Sequence, residues 1–292
     1  MEIPKLSELS LKEQDRLFSV LRVAITHHSS KIEGSQLTYG ETEALLEKGT
    51  TADNKPLNEQ LEIRGFARCY DEIVRSGFAK RKIDENYIKD LHAMMFENAL
   101  MECPEFVEKP IGAFRVAERQ VKGYDVKLAQ PHDIANLLGN LLYQKEPETI
   151  REIADFHRKF EKIHPFSNGN GRIGRLLMAM QFIKNDMIPP LIKNSSRNEY
   201  LDNFGNLDEM TNFLEKAQEI SYSILDKTQD LDELLEKIDT TANITQENDS
   251  SSNQILDSLA KKYKLDEVSA NPSNENNPKQ EQKFRINPNA KK

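Results

Sequence analysis

The residues best suited to chemistry lie in one short run, His164-Pro-Phe-Ser-Asn-Gly-Asn-Gly-Arg-Ile-Gly-Arg175. Its glycine-rich part, residues 168–171, separates two stretches whose apolar residues recur at helical spacing, so it marks the start of a helix. The first N–H groups of a helix lack intrahelical partners and lie at the positive end of its dipole, so they bind anions. Gly169 and Gly171 would let the backbone approach a phosphate group closely.

Two arginines, Arg172 and Arg175, lie one turn apart at this helix start. Guanidinium groups bind phosphate oxygens through paired hydrogen bonds, and cations at a helix N-terminus oppose its dipole unless an anion joins them. His164 precedes the turn, and a neutral imidazole accepts protons near pH 7. Spacing alone leaves a second interpretation open, in which Asn168 caps the helix and both arginines are solvated.

The run resembles the signature of the Fic family, His-x-Phe-x-Asp/Glu-Gly-Asn-Gly-Arg-x-x-Arg. Every fixed position agrees except 168, where asparagine stands in place of the usual carboxylate. The resemblance extends from about Leu11 to about Lys237. It implies an all-α fold, with a helical core and a small β-hairpin flap, and transfer of AMP from ATP to Ser, Thr or Tyr hydroxyls of proteins, including the chain itself.

The resemblance also implies roles for single residues. His164 would be the general base that takes the proton from the target hydroxyl. Arg172 and the glycine-rich turn would hold the α- and β-phosphates, and Arg175 would hold the γ-phosphate. The stretch that ends at Tyr200 resembles one that supplies a tyrosine near the nucleotide. The predicted nucleotide-binding residues are Asn168, Gly169, Asn170, Gly171, Arg172, Arg175 and Tyr200.

Asn168 would also be the protein ligand of Mg²⁺, with Mn²⁺ as the alternative ion. Its amide oxygen is a suitable hard ligand but carries no charge, so we expect weaker metal binding than with the family's carboxylate. Three other potential metal ligands lie close together in the sequence: Asp155, His157 and Glu161. They do not have a recognised zinc spacing. His157 lies on an apolar helical stripe and is interpreted as a hydrogen-bonded structural histidine.

An upstream segment, Ser29-Ser-Lys-Ile-Glu33-Gly34, resembles the inhibitory motif of the family, Ser/Thr-x-x-x-Glu-Gly/Asn. Ser29 and Glu33 lie four residues apart and share a helix face. The resemblance implies that Glu33 pairs with Arg175 and blocks the γ-phosphate, as in the class (class II-like) whose inhibitory helix precedes the core. The alternative is a surface glutamate followed by a helix-ending Gly34.

A β feature is expected between residues 113 and 130, where valines and a tyrosine flank Lys122-Gly123. It follows Gly112-Ala-Phe-Arg115, and together they resemble the flap with which family members dock an extended target segment. An ordinary surface hairpin is the alternative. The predicted docking residues are Val121, Lys122, Gly123 and Tyr124.

Apolar spacing predicts helices elsewhere. Their ranges are about 11–33, 57–76, 84–98, 131–143, 148–163, 170–184, 196–204 and 209–237. We expect three regions: an N-terminal helical region with the inhibitory helix (1–56), a Fic catalytic core with the helices that follow it (57–237), and a polar tail (238–292). The tail is rich in Asn, Ser, Lys and Glu, and we expect it to be disordered.

Composition excludes several classes of function. The net charge of −8 provides no general attraction to nucleic acid, and Cys69 and Cys103 form neither a disulfide framework nor a metal motif. The polar N-terminus lacks a signal core, and no apolar run is long enough to cross a membrane. We expect a cytoplasmic protein whose partner is a hydroxyl-bearing target protein, and the family resemblance adds a homodimer as a candidate assembly.

Three functions stay open at this level. The first is AMP transfer. The second is a related Fic transferase that moves another phosphate-containing group: phosphate itself, UMP or phosphocholine. The third is a catalytically weak regulatory or binding protein, because Asn168 departs from the signature. The intact Gly-Asn-Gly turn and both arginines favour the first.

Overall fold

The computed structural model describes residues 3–119, 128–223 and 225, which are mainly helical, with short 3₁₀ turns and loops, and contain no β-strand. The predicted all-α fold is confirmed. The helices are α1 (Leu11–Ile32), α2 (Tyr39–Glu47), α3 (Leu57–Phe78), α4 (Glu85–Glu102), α5 (Ile134–Tyr143), α6 (Ile150–Ile163), α7 (Asn170–Lys184), α8 (Arg197–Asp202) and α9 (207–223). The predicted docking residues Val121, Lys122, Gly123 and Tyr124, and the predicted tail, 238–292, lie outside the described residues.

Several helix starts are fixed by local sequence. Ser10, Thr38 and Thr149 begin α1, α2 and α6, and each hydroxyl accepts a hydrogen bond from the third residue of its helix. That third residue is a glutamate in all three helices, and its side chain bonds back to the cap. The α1 helix ends one residue earlier than predicted, and Gly34 follows it with φ +101°.

The central element is α7, which is buried on nearly all sides. The sequence predicts one buried face, and the structure also buries the opposite side, where Met178 and Phe182 form a second cluster with Ile153 of α6. A helix that is apolar all round belongs in a core. Helices α3 and α6 pack directly on α7. The glycine-rich turn is therefore attached to a buried helix, which fixes its position.

The C-terminal end of α1 is tied down close to this turn. Arg197 donates from Nε to the carbonyl of Ile32 at 2.8 Å, and so satisfies one of the last acceptors of α1. The segment after α1 is held by Glu59 of α3, whose carboxylate accepts from the backbone N–H groups of Gln36 and Leu37. Both contacts keep residues 32–37 beside α3 and α8.

Within the described part of the chain, no helix has the length and apolar character needed to cross a bilayer.

A glycine sets the spacing between α3 and α4. A Cβ atom at Gly65 would collide with the carbonyl oxygen of Met95 and lie 2.7 Å from the carbonyl carbon. The two backbones therefore meet at this point, and any side chain at position 65 forces the helices apart.

We predict that Gly65→Ala lowers the free energy of unfolding by about 1–3 kcal/mol, because the clash outweighs the better helix propensity of alanine. Gly139→Ala is the matched control, since Gly139 is an exposed residue of α5 with no atom within 4 Å of a Cβ placed there. It should raise stability by about 0.5–1 kcal/mol. Urea denaturation measures both, and equal effects of the two substitutions would contradict the close approach.

Candidate active site

The loop between α6 and α7 is closed by one side chain. Asn170 donates from Nδ2 to the carbonyl of Phe166 and accepts at Oδ1 from the N–H of the same residue, both at 2.8 Å. Gly169 has φ +78°, and a Cβ there would lie 2.8 Å from the ring of Phe96. The Asn170 side chain thus bonds to the backbone of the loop and not to the start of α7. The first N–H groups of α7 remain available to an anion.

His164 ends α6 in the left-handed region, with φ 49° and ψ 61°. The His-Pro step predicts a departure from helical torsions, and the structure shows one. Burial is the largest effect on the imidazole and, with the charge of Arg115, lowers its pKa to about 4. Nδ1 is buried and has no hydrogen-bond partner among the described residues. The imidazole is therefore neutral near pH 7 and able to accept a proton.

Arg175 is held by the C-terminal turn of α1. It donates from Nε to Ser29 Oγ at 2.8 Å, and from Nη2 to the Ser29 carbonyl at 3.0 Å and to Glu33 Oε1 at 2.7 Å. The side chain of Arg175 is 5% exposed, whereas that of Glu33 is 39% exposed. Gly171 makes room for this pair, because a Cβ at position 171 would lie on the Glu33 carboxylate.

Charge strengthens the same contact. Burial alone raises the pKa of the Glu33 carboxyl, but the charge and hydrogen bond of Arg175 outweigh burial and lower it. Burial lowers the pKa of Arg175, and the Glu33 carboxylate more than reverses this. Both groups are therefore charged near pH 7, and the pair is an ion pair.

Arg172 has a carboxylate partner that sequence reasoning missed. Its Nη1 lies 2.6 Å from Glu62 Oε2 of α3, with both side chains mostly buried. Its Nη2 lies 3.3 Å from Asn168 Oδ1, and its guanidinium carbon is 4.9 Å from the centre of the Phe96 ring. Glu62 has no spacing signal within its own helix and is 110 residues from Arg172 in sequence. The anions that join the two arginines are thus carboxylates of the chain itself.

His92 of α4, which sequence reasoning also missed, supports the loop between α6 and α7. It accepts at Nδ1 from the N–H of Gly112 at 2.8 Å, so Nε2 carries the proton and donates to the Asn168 carbonyl at 3.1 Å. Its ring stacks on Phe166, with centroids 3.9 Å apart. Burial, as the largest effect, lowers the pKa of His92 to about 4, so this arrangement keeps a single tautomer near pH 7.

Behind Arg175 lies a buried polar group made of Tyr200, His157 and Glu161. Tyr200 is 1% exposed, and its hydroxyl is 2.6 Å from His157 Nε2, as expected of a hydrogen-bonded structural histidine. Burial, then the charge of Arg175, lowers the pKa of His157 to about 3. Burial raises the pKa of Glu161 to about 8. The structure brings Tyr200 to the buried side of Arg175, with the ring centre 5.9 Å from the guanidinium carbon.

Asn168 is the residue at the turn whose oxygen type suits a hard cation, and a cation there would have to displace the Arg172 guanidinium from that oxygen. Asn168 provides an amide oxygen, which accepts from the N–H of Gly169 at 2.7 Å in addition to its contact with Arg172. The described residues contain no group of three His, Cys, Asp or Glu side chains placed to hold a metal ion. Any ion at this site would therefore take most of its ligands from a bound phosphate group and water.

The model of the Fic/DOC family matches residues 82–182, which run from α4 through the turn and most of α7. This chain carries a Fic/DOC family domain. The site described above is formed by the matched residues of the Fic domain together with Ser29, Glu33 and Glu62, which precede it, and Tyr200, which follows it.

Curated relatives of the Fic domain are named protein adenylyltransferases. Protein adenylyltransferase fic-1 of Caenorhabditis elegans is 26% identical over 209 residues, covering 67% of this chain and 39% of the relative. Protein adenylyltransferase Fic of Nematostella vectensis is 26% identical over 249 residues, covering 74% and 56%. That of Drosophila willistoni is 29% identical over 206 residues, covering 66% and 39%. The matched region thus spans about two fifths to just over half the length of these proteins.

Solved structures share the fold. A Fic domain containing signaling protein from Bacteroides thetaiotaomicron superposes with a TM-score of 0.64 at 20% identity, covering 75% of this chain and 92% of that one. Residues 134–508 of Fic-1 from C. elegans superpose with a TM-score of 0.62 at 24% identity, covering 75% and 66%. At these identities the likeness establishes the fold of the Fic domain and nothing more.

The buried carboxyl of Glu161 generates a prediction about stability. Because its folded pKa of about 8 lies above the ordinary 4.5, its proton stabilises the fold fully below pH 4.5, and this contribution is lost as the pH rises towards 8. Glu161→Gln imitates the protonated form. We expect the stability of this variant relative to the unchanged chain to increase between pH 5 and 7.5, by at most about 1.4 kcal/mol per pH unit.

Urea denaturation across this pH range measures the difference. Asp155→Asn is the control, because Asp155 belongs to the same helix but pairs with Lys159 at the surface. A pH trend for Glu161→Gln no steeper than that for Asp155→Asn would show that Glu161 ionises normally.

Proposed function

We propose that this chain is a protein adenylyltransferase, which transfers AMP from ATP to the hydroxyl of a Ser, Thr or Tyr side chain. The observation that carries the proposal is the position of a neutral His164 one tight loop before a helix start that bears two buried arginines. The names of the curated relatives support the same activity. In this proposal residues 57–237 form the catalytic core, and residues 1–56 carry the inhibitory helix.

The proposed step is a displacement at the α-phosphorus of ATP. The target oxygen forms a bond to that phosphorus, its proton passes to His164, and the bond from phosphorus to the bridging oxygen breaks with release of pyrophosphate. The first N–H groups of α7 and Arg172 would neutralise the α- and β-phosphates. Arg175 would bind the γ-phosphate, so that the α-phosphorus faces the incoming hydroxyl. Positioning and charge neutralisation would supply most of the rate.

The proposed inhibition follows from competition for one guanidinium. Arg175 donates Nη2 to Glu33 at 2.7 Å, so it cannot also bind a γ-phosphate in the same geometry. Glu33 is the more exposed partner and lies at the end of α1, next to Gly34 with its positive φ. Release therefore requires only that the Glu33 side chain turn away, while Arg175 and Ser29 keep their places.

Magnesium would be held by Asn168 and by the phosphates of ATP, where it would offset phosphate charge. In the family signature a carboxylate stands at position 168, so the neutral amide is expected to weaken the ion's hold. We further propose a hydroxyl-bearing target protein that docks at residues 121–124, a cytoplasmic location and a homodimer, with no role for nucleic acid.

The first test is intact mass spectrometry of Glu33→Gly incubated with ATP and Mg²⁺. We expect the variant to gain the mass of AMP, because Arg175 is then free for the γ-phosphate, while the unchanged chain gains little. The same spectrum separates the other functions, since a gain of phosphate indicates a kinase-like transferase and no gain indicates a binding protein.

Two controls accompany this test. Glu33→Gly combined with His164→Ala should gain nothing, and Glu105→Gly, a surface change in the loop after α4, should behave as the unchanged chain. AMP addition that persists without His164 would contradict the proposed base.

The metal proposal has its own test in Asn168→Asp. In the Glu33→Gly background we expect Asn168→Asp to lower the Mg²⁺ concentration needed for half-maximal AMP transfer by about tenfold, because a carboxylate adds a charge to the ion's ligands. Titration of the rate with Mg²⁺ and with Mn²⁺ measures it. Superimposable titrations of the two proteins would show that position 168 does not bind the ion.

A further inference from the structure

We propose that Arg115 is a positioning residue for His164, and that its guanidinium holds the histidine backbone in the left-handed conformation and joins it to the two stretches that flank residues 120–127. The effect of Arg115 on catalysis rests on the proposed function, whereas its contacts with the backbone do not. Arg115 precedes α5 and lies at the end of the segment Gly112-Ala-Phe-Arg115.

Among the residues that the structure describes, the guanidinium of Arg115 donates only to backbone carbonyls. It donates from Nε to His164 at 2.7 Å, from Nη1 to Ala117 at 2.8 Å, and from Nη2 to Ala129 at 2.6 Å. It is 2% exposed, and no ion pair to Arg115 occurs in the part of the chain that the structure describes. Each of the three guanidinium nitrogens thus donates to an uncharged acceptor. Burial of a charge without an ionic partner costs desolvation energy, and an uncharged side chain of similar shape would avoid that cost.

Backbone hydrogen bonds extend the same connection. The N–H of Arg115 donates to the Pro165 carbonyl at 2.9 Å, and the N–H of Ala129 donates to the Lys162 carbonyl at 3.1 Å. The stretches before and after residues 120–127 are therefore both attached to the end of α6. A non-glycine residue with φ 49° is strained unless its surroundings hold it, and the carbonyl of His164 is the group that Arg115 holds.

The charge of Arg115 reaches the imidazole as well. Burial is the largest effect that lowers the pKa of His164, and the charges of Arg115 and Arg119 lower it further. The backbone carbonyl of Glu161 and the carboxylate of Glu33 act in the opposite direction. Arg119 is 37% exposed and pairs with Glu108, so solvent screens it more than Arg115. Arg115 therefore acts on His164 both by holding its backbone and by its charge.

Two substitutions separate these effects. Arg115→Lys keeps the charge but lacks the planar fork that reaches three carbonyls, whereas Arg115→Met removes both. In the Glu33→Gly background we expect each to lower kcat for AMP transfer on the order of 100-fold, because the base is misplaced. The KM for ATP should stay within about twofold, since the groups that bind the phosphates are unchanged. Arg158→Met is the matched control, because Arg158 also donates to a backbone carbonyl, that of Phe204.

A second measurement does not depend on activity. The six histidines of the full chain can be titrated by NMR, with the His164 signal identified by its loss in His164→Asn. In Arg115→Met the pKa of His164 should rise above its value of about 4, because one cationic neighbour is removed while the larger effect of burial remains. In Arg115→Lys and Arg158→Met it should stay close to that of the unchanged chain. If Arg115→Met does not fold, Arg115→Gln takes its place as the uncharged variant.

The outcomes are distinct. Retention of kcat by Arg115→Lys, or an unmoved His164 titration in the uncharged variant, overturns the proposal. If the Glu33→Gly protein transfers no AMP at all, the adenylyltransferase proposal fails. The titration still decides whether Arg115 acts on His164.

Discussion

The arrangement of the site depends on one constraint, which is that Arg175 is buried and needs an anion. An unpaired guanidinium in this position would cost several kcal/mol, and the positive end of α7 adds to the cost. Glu33 meets the need, and Ser29 accepts two further hydrogen bonds from Arg175, one at its hydroxyl and one at its carbonyl oxygen. Three features agree with this requirement. The end of α1 lies beside Arg175, Gly171 has no side chain to obstruct Glu33, and the Glu161 carboxyl behind the arginine is neutral.

The two arginines are satisfied in different ways, and the difference has a functional meaning in the proposed mechanism. Glu62 comes from within α3 and is mostly buried, so its contact with Arg172 belongs to the packed bundle. Glu33 comes from the end of a helix and is partly exposed. A phosphate group can therefore replace Glu33 without unpacking helices, whereas Arg172 keeps a fixed orientation. One contact is suited to release and the other to positioning.

Sequence reasoning reached every described helix except α2 because apolar spacing is local information, and it reached the loop because its glycines, proline and arginines are adjacent in the chain. It missed α2, whose nine residues are too few to show a long apolar period. The α1 and α7 boundaries agree with their predicted ranges to within one residue. Glu62, His92, Arg115 and Glu161 were not predicted as parts of the site. Their contacts join helices or loops that are distant in sequence, and no periodicity within one element encodes such a contact. The all-round burial of α7 was missed for the same reason, because only packing reveals its second apolar side.

The central claim, that Glu33 and a γ-phosphate compete for Arg175, is tested most directly by the ratio of ATP to ADP affinity. Isothermal titration calorimetry can measure it in the unchanged chain and in Glu33→Gln, which keeps the shape of the side chain and removes its charge. If Glu33 and the γ-phosphate compete, the unchanged chain binds the two nucleotides with similar affinity, and Glu33→Gln prefers ATP by about tenfold or more, the value of a charge-assisted contact. An equal ratio in both proteins would contradict the account, because Arg175 would then not be the group for which Glu33 and the γ-phosphate compete.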